Sequence, residues 1–479
     1  IGFTTFLANV TTAIGFFVFY FTNSSLLVEF GLVAAANVMS TYLLSLFLIP
    51  IIFSFLPPPK VKHTQHLQSP RINKLLEFVE EWVNDHHKTV YATVVVILLI
   101  SFYGMTKLST VGYVVDDLPK KDPVFVDMKF FEKNFHGVLP LELAIDTREA
   151  GNALQPATLQ KINRLQKMLS QYPELSRPIS IVEAVKFAYQ AYKDGDEKYY
   201  ILPGSLQLAE LSGFIGDSKG KEQLFKSFID STKQVTRVSV QMADIGSIKM
   251  KKLVNELRPR IDSIFDPQKY TTTITGNSRI FLKGNDYLFE NLVESILLAI
   301  FLITIIMVLL FMSLRMILIS IIPSLIPLIM TAGVMGFANI PLKPSTILIF
   351  SIAFGIASDQ TIYFLTKYRQ EMRNHKMISI SKAVSLTISE TGVSMIYTAV
   401  ILFCGFFIFS ASGFGGTASL GKLISFTLLM AVCSNLVLLP TFLVGLERKL
   451  TTKAFLQEPL FEIHEEEEDI DLDELEVEK

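Results

Sequence analysis

Eight apolar runs, approximately 3–21, 30–56, 89–107, 288–312, 316–338, 345–366, 391–411 and 419–446, set the first condition on any fold of this chain. About 20 apolar residues cross a hydrocarbon core as a helix, which satisfies its own backbone hydrogen bonds where no water is present. With 50% hydrophobic residues and 38 Phe in 479, the composition points the same way. The expected fold is an α-helical polytopic membrane protein with eight transmembrane helices. Basic residues give its orientation: Lys60, Lys62, Arg71 and Lys74 follow the second run, Arg315 the fourth, Lys367, Arg369, Arg373 and Lys376 the sixth, and Arg448, Lys449 and Lys453 the last. Alternating spans put all four groups on one side, cytoplasmic by the excess of Lys and Arg found there.

Residues 108–286 then form a large extracytoplasmic domain. Strand-like runs at 139–145, 235–242 and 270–275 alternate with helix-like stretches near 156–171, 181–193, 204–214 and 246–264, a pattern of split βαβ type. Between the second and third spans, residues 57–88 read as a cytoplasmic linker. Pro57-Pro58-Pro59 stops the preceding helix, and Ile72, Leu75, Leu76, Val79, Trp82 and Val83 recur at helical spacing, as in an amphipathic helix lying on the membrane surface. The segment 447–479 is acidic and is expected to be a disordered cytoplasmic tail.

Several chemistries have no foothold. Cys404 and Cys433 lie inside apolar runs as small hydrophobes, His136 stands alone, and neither a nucleophile elbow, a P-loop nor a His pair with ligand spacing occurs. No enzyme activity, metal or other cofactor is expected. Nothing in the charge pattern suggests nucleic acid.

Against that background one side chain stands out. Ile347 to Arg369 reads ILIFSIAFGIASDQTIYFLTKYR, with Asp359 in mid-run. A carboxylate at membrane depth costs roughly 3 kcal/mol or more, so it persists where a cavity and a partner receive it. Ser351, Gly355, Asp359 and Tyr363 recur every fourth residue and share a small, polar side of the helix. The plain alternative is an acid that only holds the bundle together by a hydrogen bond. Asp286, Glu290 and Glu294 also recur at four-residue spacing where the outer domain enters the fourth span; they read as a solvated helix start, or as an acidic mouth in which Glu294 is deepest. Pro323, Pro327, Gly333 and Gly336 mark the fifth span as a place where the helix could break or bend.

An internal repeat fixes the architecture. Residues 1–21 align without a gap on 391–411, pairing Gly2 with Gly392 and Gly15-Phe16-Phe17 with Gly405-Phe406-Phe407, and the same offset pairs Gly31 with Gly421 and Pro50 with Pro440. Duplicated bundles are a mark of transporters. Residues 1–56 then read as the last two spans of a first bundle, and 89–107 with 287–446 as the six spans of a second. The chain reads as the carboxyl-terminal portion of a longer protein.

The outer domain after the first span of a bundle, SIAFGIASDQTIYFLTKYRQE in the fourth, and a following TG…T…G helix that ends in LLP together resemble the resistance–nodulation–division superfamily, nearest its Patched-like and MMPL branches. The resemblance implies an exporter of lipid-like or other hydrophobic compounds in the cell (inner) membrane, with protons as the coupling ion. It implies that Asp359 carries the proton and that Thr398 assists from the neighbouring span. It also implies an amino-terminal bundle as partner, with self-association into a homo-oligomer left open. Gln360 departs from the Tyr or Asp that follows the acid in several relatives. Two other functions belong to the same superfamily: a sterol- or lipid-binding receptor scaffold, and an accessory subunit of protein secretion.

Overall fold

A computed structural model describes residues 2–57, 70–113, 117–216, 227–311, 314–374 and 378–447. Lys60, Lys62, Lys376, Arg448, Lys449, Lys453 and the acidic tail lie outside these residues. In chain order the first elements are α1 (Gly2–Phe17), α2 (Ser25–Phe55), α3 (Pro70–Asp85) and α4 (His87–Met105). There follow α5 (Pro123–Phe135), β1 (Leu139–Asp146), α6 (Pro156–Leu169), β2 (Ile179–Ser180), α7 (Ile181–Tyr192), α8 (Ser205–Gly216), β3 (Val235–Met242), α9 (Ser247–Ile264) and β4 (Thr271–Thr275). The chain continues with α10 (Asn277–Phe311), α11 (Leu314–Phe337), α12 (Pro344–Asn374), α13 (Ile380–Phe407), α14 (Gly415–Cys433) and α15 (Leu439–Glu447). Two compact units result, one of residues 1–109 with 288–479 and one of 110–287.

Among the described residues, seven helices are long and apolar enough to cross a membrane, and Thr5–Phe21 is a shorter apolar helix. The chain is a multi-pass membrane protein. The first of the eight expected spans is this shorter helix, and its last turn, Val18–Phe21, tightens into a 3₁₀ helix. The structure carries the sequence repeat into atomic detail at the same offset of 390 residues. Helix α13 also ends in a 3₁₀ turn, Ile408–Ala411, and α14 starts at Gly415 as α2 starts at Ser25. A Cβ on Gly31 would meet Phe16 O at 2.7 Å and Phe19 Cβ at 2.9 Å; one on Gly421 would meet Phe406 O at 2.8 Å and Phe409 Cβ at 2.7 Å. Glycine at both positions lets one helix lie against the turn that precedes it.

Close backbone contact recurs between α4 and α11. A Cβ on Gly333 would sit 2.6 Å from Ser101 Cα, and one on Gly336 would collide with the Gly104 carbonyl. Helix α11 is nevertheless unbroken through Pro323 and Pro327. Pro327 has no N–H for the carbonyl four residues earlier, and that carbonyl, Pro323 O, instead accepts from Ser434 Oγ at 2.7 Å. The expected break is thereby repaired by a neighbouring helix. Helix α3 divides its apolar residues: Leu76, Val79 and Val83 are buried in the bundle, whereas Leu75 and Phe78 are about half exposed. Asn84 ties it to α13, accepting from Ser381 at 2.6 Å and donating to Ser385 at 3.2 Å.

The second unit is a four-stranded antiparallel sheet of order β2-β3-β1-β4, the arrangement of a split βαβ fold. Leu139, Leu141, Leu143 and Ile145 of β1 point inward on alternate positions. Leu141 pairs with Val240 and Leu143 with Val238 and Ile274, so one hydrophobic stripe crosses three strands. The buried stripes of α6 (Leu159, Ile162, Leu165, Leu169) and α9 (Met250, Leu253, Leu257, Ile261) complete this core. All three expected strands are present. The fourth, Ile179–Ser180, is two residues long and too short to show alternation.

Candidate functional site

Helix α12 is the most enclosed of the spanning helices, and the wheel of its sequence explains why Asp359 keeps part of its surface exposed. Every fourth residue drifts about 40° around a helix, so Ser351, Gly355, Asp359 and Tyr363 fan out across about 120° and do not stay in one line. Ser351 and Gly355 lie beneath α1. A Cβ on Gly15 would meet Ser351 O at 2.9 Å and Gly355 Cα at 3.2 Å, and one on Gly355 would meet Thr11 O at 3.0 Å. The two helices thus touch backbone to backbone through glycine. Asp359 comes next and is half-buried; Tyr363, one turn further, is 40% exposed. The side that the four-residue spacing predicts as continuous is therefore covered at one end and open at the other.

Helix α13 bounds the open end. Lys367 Nζ reaches Glu390 Oε2 at 2.8 Å and Glu371 Oε1 at 3.4 Å, which fixes the level of α13 against α12. Moving eight residues along each antiparallel helix from that pair arrives at Asp359 and at Thr398. The expected partners are therefore at one level, with an equal rise of 1.5 Å per residue on both helices. They are not joined by a hydrogen bond, and Thr398 is exposed.

Around the acid, polar atoms lack partners. Gln360 is 5% exposed, and neither its Oε1 nor its Nε2 is hydrogen-bonded; the hydroxyls of buried Ser351 and Ser358 are likewise unpaired. Each such group costs on the order of 1–3 kcal/mol unless water reaches it. Their concentration within three turns of α12 distinguishes this stretch from the rest of the helix.

A second polar seam lies on the opposite side of α12 and has no counterpart in the expectations from sequence. Thr361 Oγ1 is 2.9 Å from Ser324 Oγ of α11 and 2.9 Å from Asn435 Oδ1, and Asn435 Nδ2 donates to Ala357 O at 3.1 Å. Asn435 sits in a π turn, Ser434–Leu438, between α14 and α15. Such turns widen a helix by one residue and recur at functional places. Thr361, Ser324 and Asn435 are all buried. Pro323 and Pro327 were the one trace of this seam in the sequence, since a freed carbonyl requires a donor nearby.

The acids near the start of the fourth span do not form a buried group. Glu290 and Glu294 are exposed, and Asp286 pairs with Lys251 at 2.7 Å, which agrees with a solvated helix start. Glu294 is no deeper than Glu290; along the spanning part of this helix the buried polar groups are Asn291, which accepts from Asn23 Nδ2 at 3.3 Å, and Ser295, with Ser278 buried at its start. Among the described residues no group of His, Cys, Asp and Glu is arranged to hold a metal ion.

Comparison with known proteins gives two findings. The sequence model of the MMPL family matches residues 116–456. A Methanocaldococcus jannaschii protein described as a membrane protein is 31% identical over 123 residues, which cover 26% of this chain. The match spans 31% of that relative's own length.

Proposed function

The chain belongs to the MMPL family, and from that membership we propose that it acts as a proton-driven exporter of lipid-like or other hydrophobic compounds, with Asp359 as the proton carrier. Membership itself makes it an RND-type transporter or related lipid-handling membrane protein. The finer reading rests on one observation above all. In mid-span of α12, Asp359, with its carboxyl buried and only part of the residue exposed, is set between a helix packed through glycines and a lane left open, near three buried polar side chains without partners. Water drawn by Ser351, Ser358 and Gln360 gives protons a route to Asp359. Thr398, at the same level, supplies a hydroxyl that donates to the charged acid or accepts from the neutral one.

Each proton that crosses contributes roughly 2.3 kcal/mol per 100 mV of membrane potential, enough for about a fiftyfold cargo gradient. In this reading the α/β unit is extracytoplasmic and handles cargo, and the open lane beside Asp359, Tyr363 and Thr398 receives helices of an amino-terminal bundle. Reconstitution of the full-length protein tests the proposal. A lipophilic fluorescent cargo should move when a pH difference is imposed across the vesicle membrane and stop when a protonophore collapses it. A receptor scaffold would bind the cargo equally with and without the gradient.

A further inference from the structure

A crevice of about 210 Å³ enters the membrane-spanning unit beside α3. Trp82 of α3, Val90 and Val94 of α4, Ile326 of α11, and Cys433 and Val437 at the junction of α14 with the π turn line it. Val90, Ile326 and Leu438 close its base as a small buried cluster. Its rim is open, because two of the lining residues, Thr93 and Cys433, are exposed on α4 and α14. The crevice therefore opens sideways, between two helices that read as membrane spans.

Its wall chemistry selects the occupant. The hydroxyl of Ser434 is taken by Pro323 O, and the residues at the base are aliphatic, so a water inside would find almost none of the two to four partners it needs. Left empty, the lining would lose the dispersion contacts that a packed interior makes. The long, narrow run of apolar lining residues along α4 suits a length of hydrocarbon chain. The position agrees. Leu75, Phe78 and Trp82 recur at helical spacing on α3, with Leu75 and Phe78 half exposed and the Phe78 and Trp82 rings 5.4 Å apart, as in a helix at the membrane–water boundary. From that boundary the lining runs along α4 from Val90 to Ile97, about 10 Å into the span.

We propose that this crevice holds one acyl chain of a membrane phospholipid drawn from the leaflet that α3 borders. The proposal is independent of proton coupling at Asp359. The π turn gives the site its shape, since Ser434, Val437 and Leu438 form one wall. A lipid held there bridges α3, α4, α11 and α14.

Photocrosslinking tests this in the full-length protein reconstituted in phosphatidylcholine that carries a diazirine midway along one chain. Peptide mass spectrometry should find adducts concentrated in residues 90–97 and 430–438, several-fold above segment 99–103 of α4, where Leu99, Ile100, Phe102 and Tyr103 are exposed. Val94→Trp, which fills the crevice, should remove most crevice adducts and leave labelling of 99–103 unchanged. Thr93→Trp, at the open rim where bulk does not disturb the core, should do the same if Val94→Trp fails to fold. Equal labelling of the crevice and 99–103 would overturn the proposal, as would crevice labelling that survives both substitutions. So would a photoreactive sterol that labels the crevice as well as the phospholipid does.

Discussion

The two copies of the repeat share their local structure and differ in what covers them. In both, a helix ends in a 3₁₀ turn, and the glycine of the next helix packs against that turn through the corresponding residues, Phe16 and Phe19 in one copy and Phe406 and Phe409 in the other. Yet Gly15 of α1 is pressed against the backbone of α12, whereas its counterpart Gly405 has nothing within 4 Å. Ala8 and Thr11 are buried; their counterparts Thr398 and Ile401 are exposed, Ile401 at 69%. The second difference lies in the following helix. Helix α2 is regular through Leu44 and Ser45, while the matching Ser434 and Asn435 open a π turn that bonds to α11 and α12. Similar sequence has fixed similar turns; neighbouring helices decide which copy serves as wall and which as polar joint.

The largest expected effect contrasts the two glycines. Gly15→Ala should destabilise the protein by about 1–2 kcal/mol, because the new methyl group meets the Ser351 carbonyl and Gly355 Cα. Gly405→Ala should instead be neutral or stabilise by about 0.5–1 kcal/mol through helix propensity. Reversible unfolding in mixed micelles measures both, and equal losses would break the contrast. Next comes the polar joint. Asn435→Ala removes bonds to Thr361 and Ala357 and should cost about 1–2 kcal/mol, against about 0.5 kcal/mol or less for Ser45→Ala, whose hydroxyl bonds only within its own helix at Thr41 O. The same unfolding series separates the two.

A smaller effect belongs to the α/β unit, outside the repeat. Burial by itself raises the Glu183 pKa, but hydrogen bonds from Lys186 at 2.8 Å and Tyr200 at 2.5 Å, with the nearby Lys186 and Arg177 charges, bring it below the usual carboxylate value. A depressed folded-state pKa contributes stability that is complete above the unfolded value and fades as pH falls through the folded one. Glu183→Gln should therefore lower protection of residues 181–192 in hydrogen exchange by up to about 1 kcal/mol at neutral pH. The difference from the parent should shrink as pH falls below about 4.3, the unfolded value, and vanish once pH is below the depressed folded one. The same substitution should leave exchange in α1 and α13 unchanged at every pH.

Much of this architecture could be read from residues. The pairing of Gly31 with Gly421 gave the repeat, and apolar length gave the spans. Alternation in 139–145 and 235–242 gave two strands to within a residue. What escaped was structure made across chain distance. Thr361, Ser324 and Asn435 meet only when three helices pack, and the prolines beside Ser324 are the one local mark of it. Helix α5 escaped for a different reason. It buries none of its side chains and exposes Phe130, Phe131 and Phe135, so its apolar residues follow no single face. Of the candidate site, Asp359 is conspicuous in the sequence as a lone acid in an apolar run. Its four-residue alignment with Ser351, Gly355 and Tyr363 was misleading because the helix drifts, and only the Lys367–Glu390 pair sets Thr398 at its level.

The most direct measurement follows cargo movement and lumenal pH together in vesicles that hold the full-length protein, its Asp359→Asn variant or its Asp359→Glu variant. The expected result is that Asp359→Asn abolishes both fluxes at unchanged protein level and stability, while Asp359→Glu retains part of each in the same ratio. Cargo export by Asp359→Asn at the parent rate under an imposed pH difference would contradict the account.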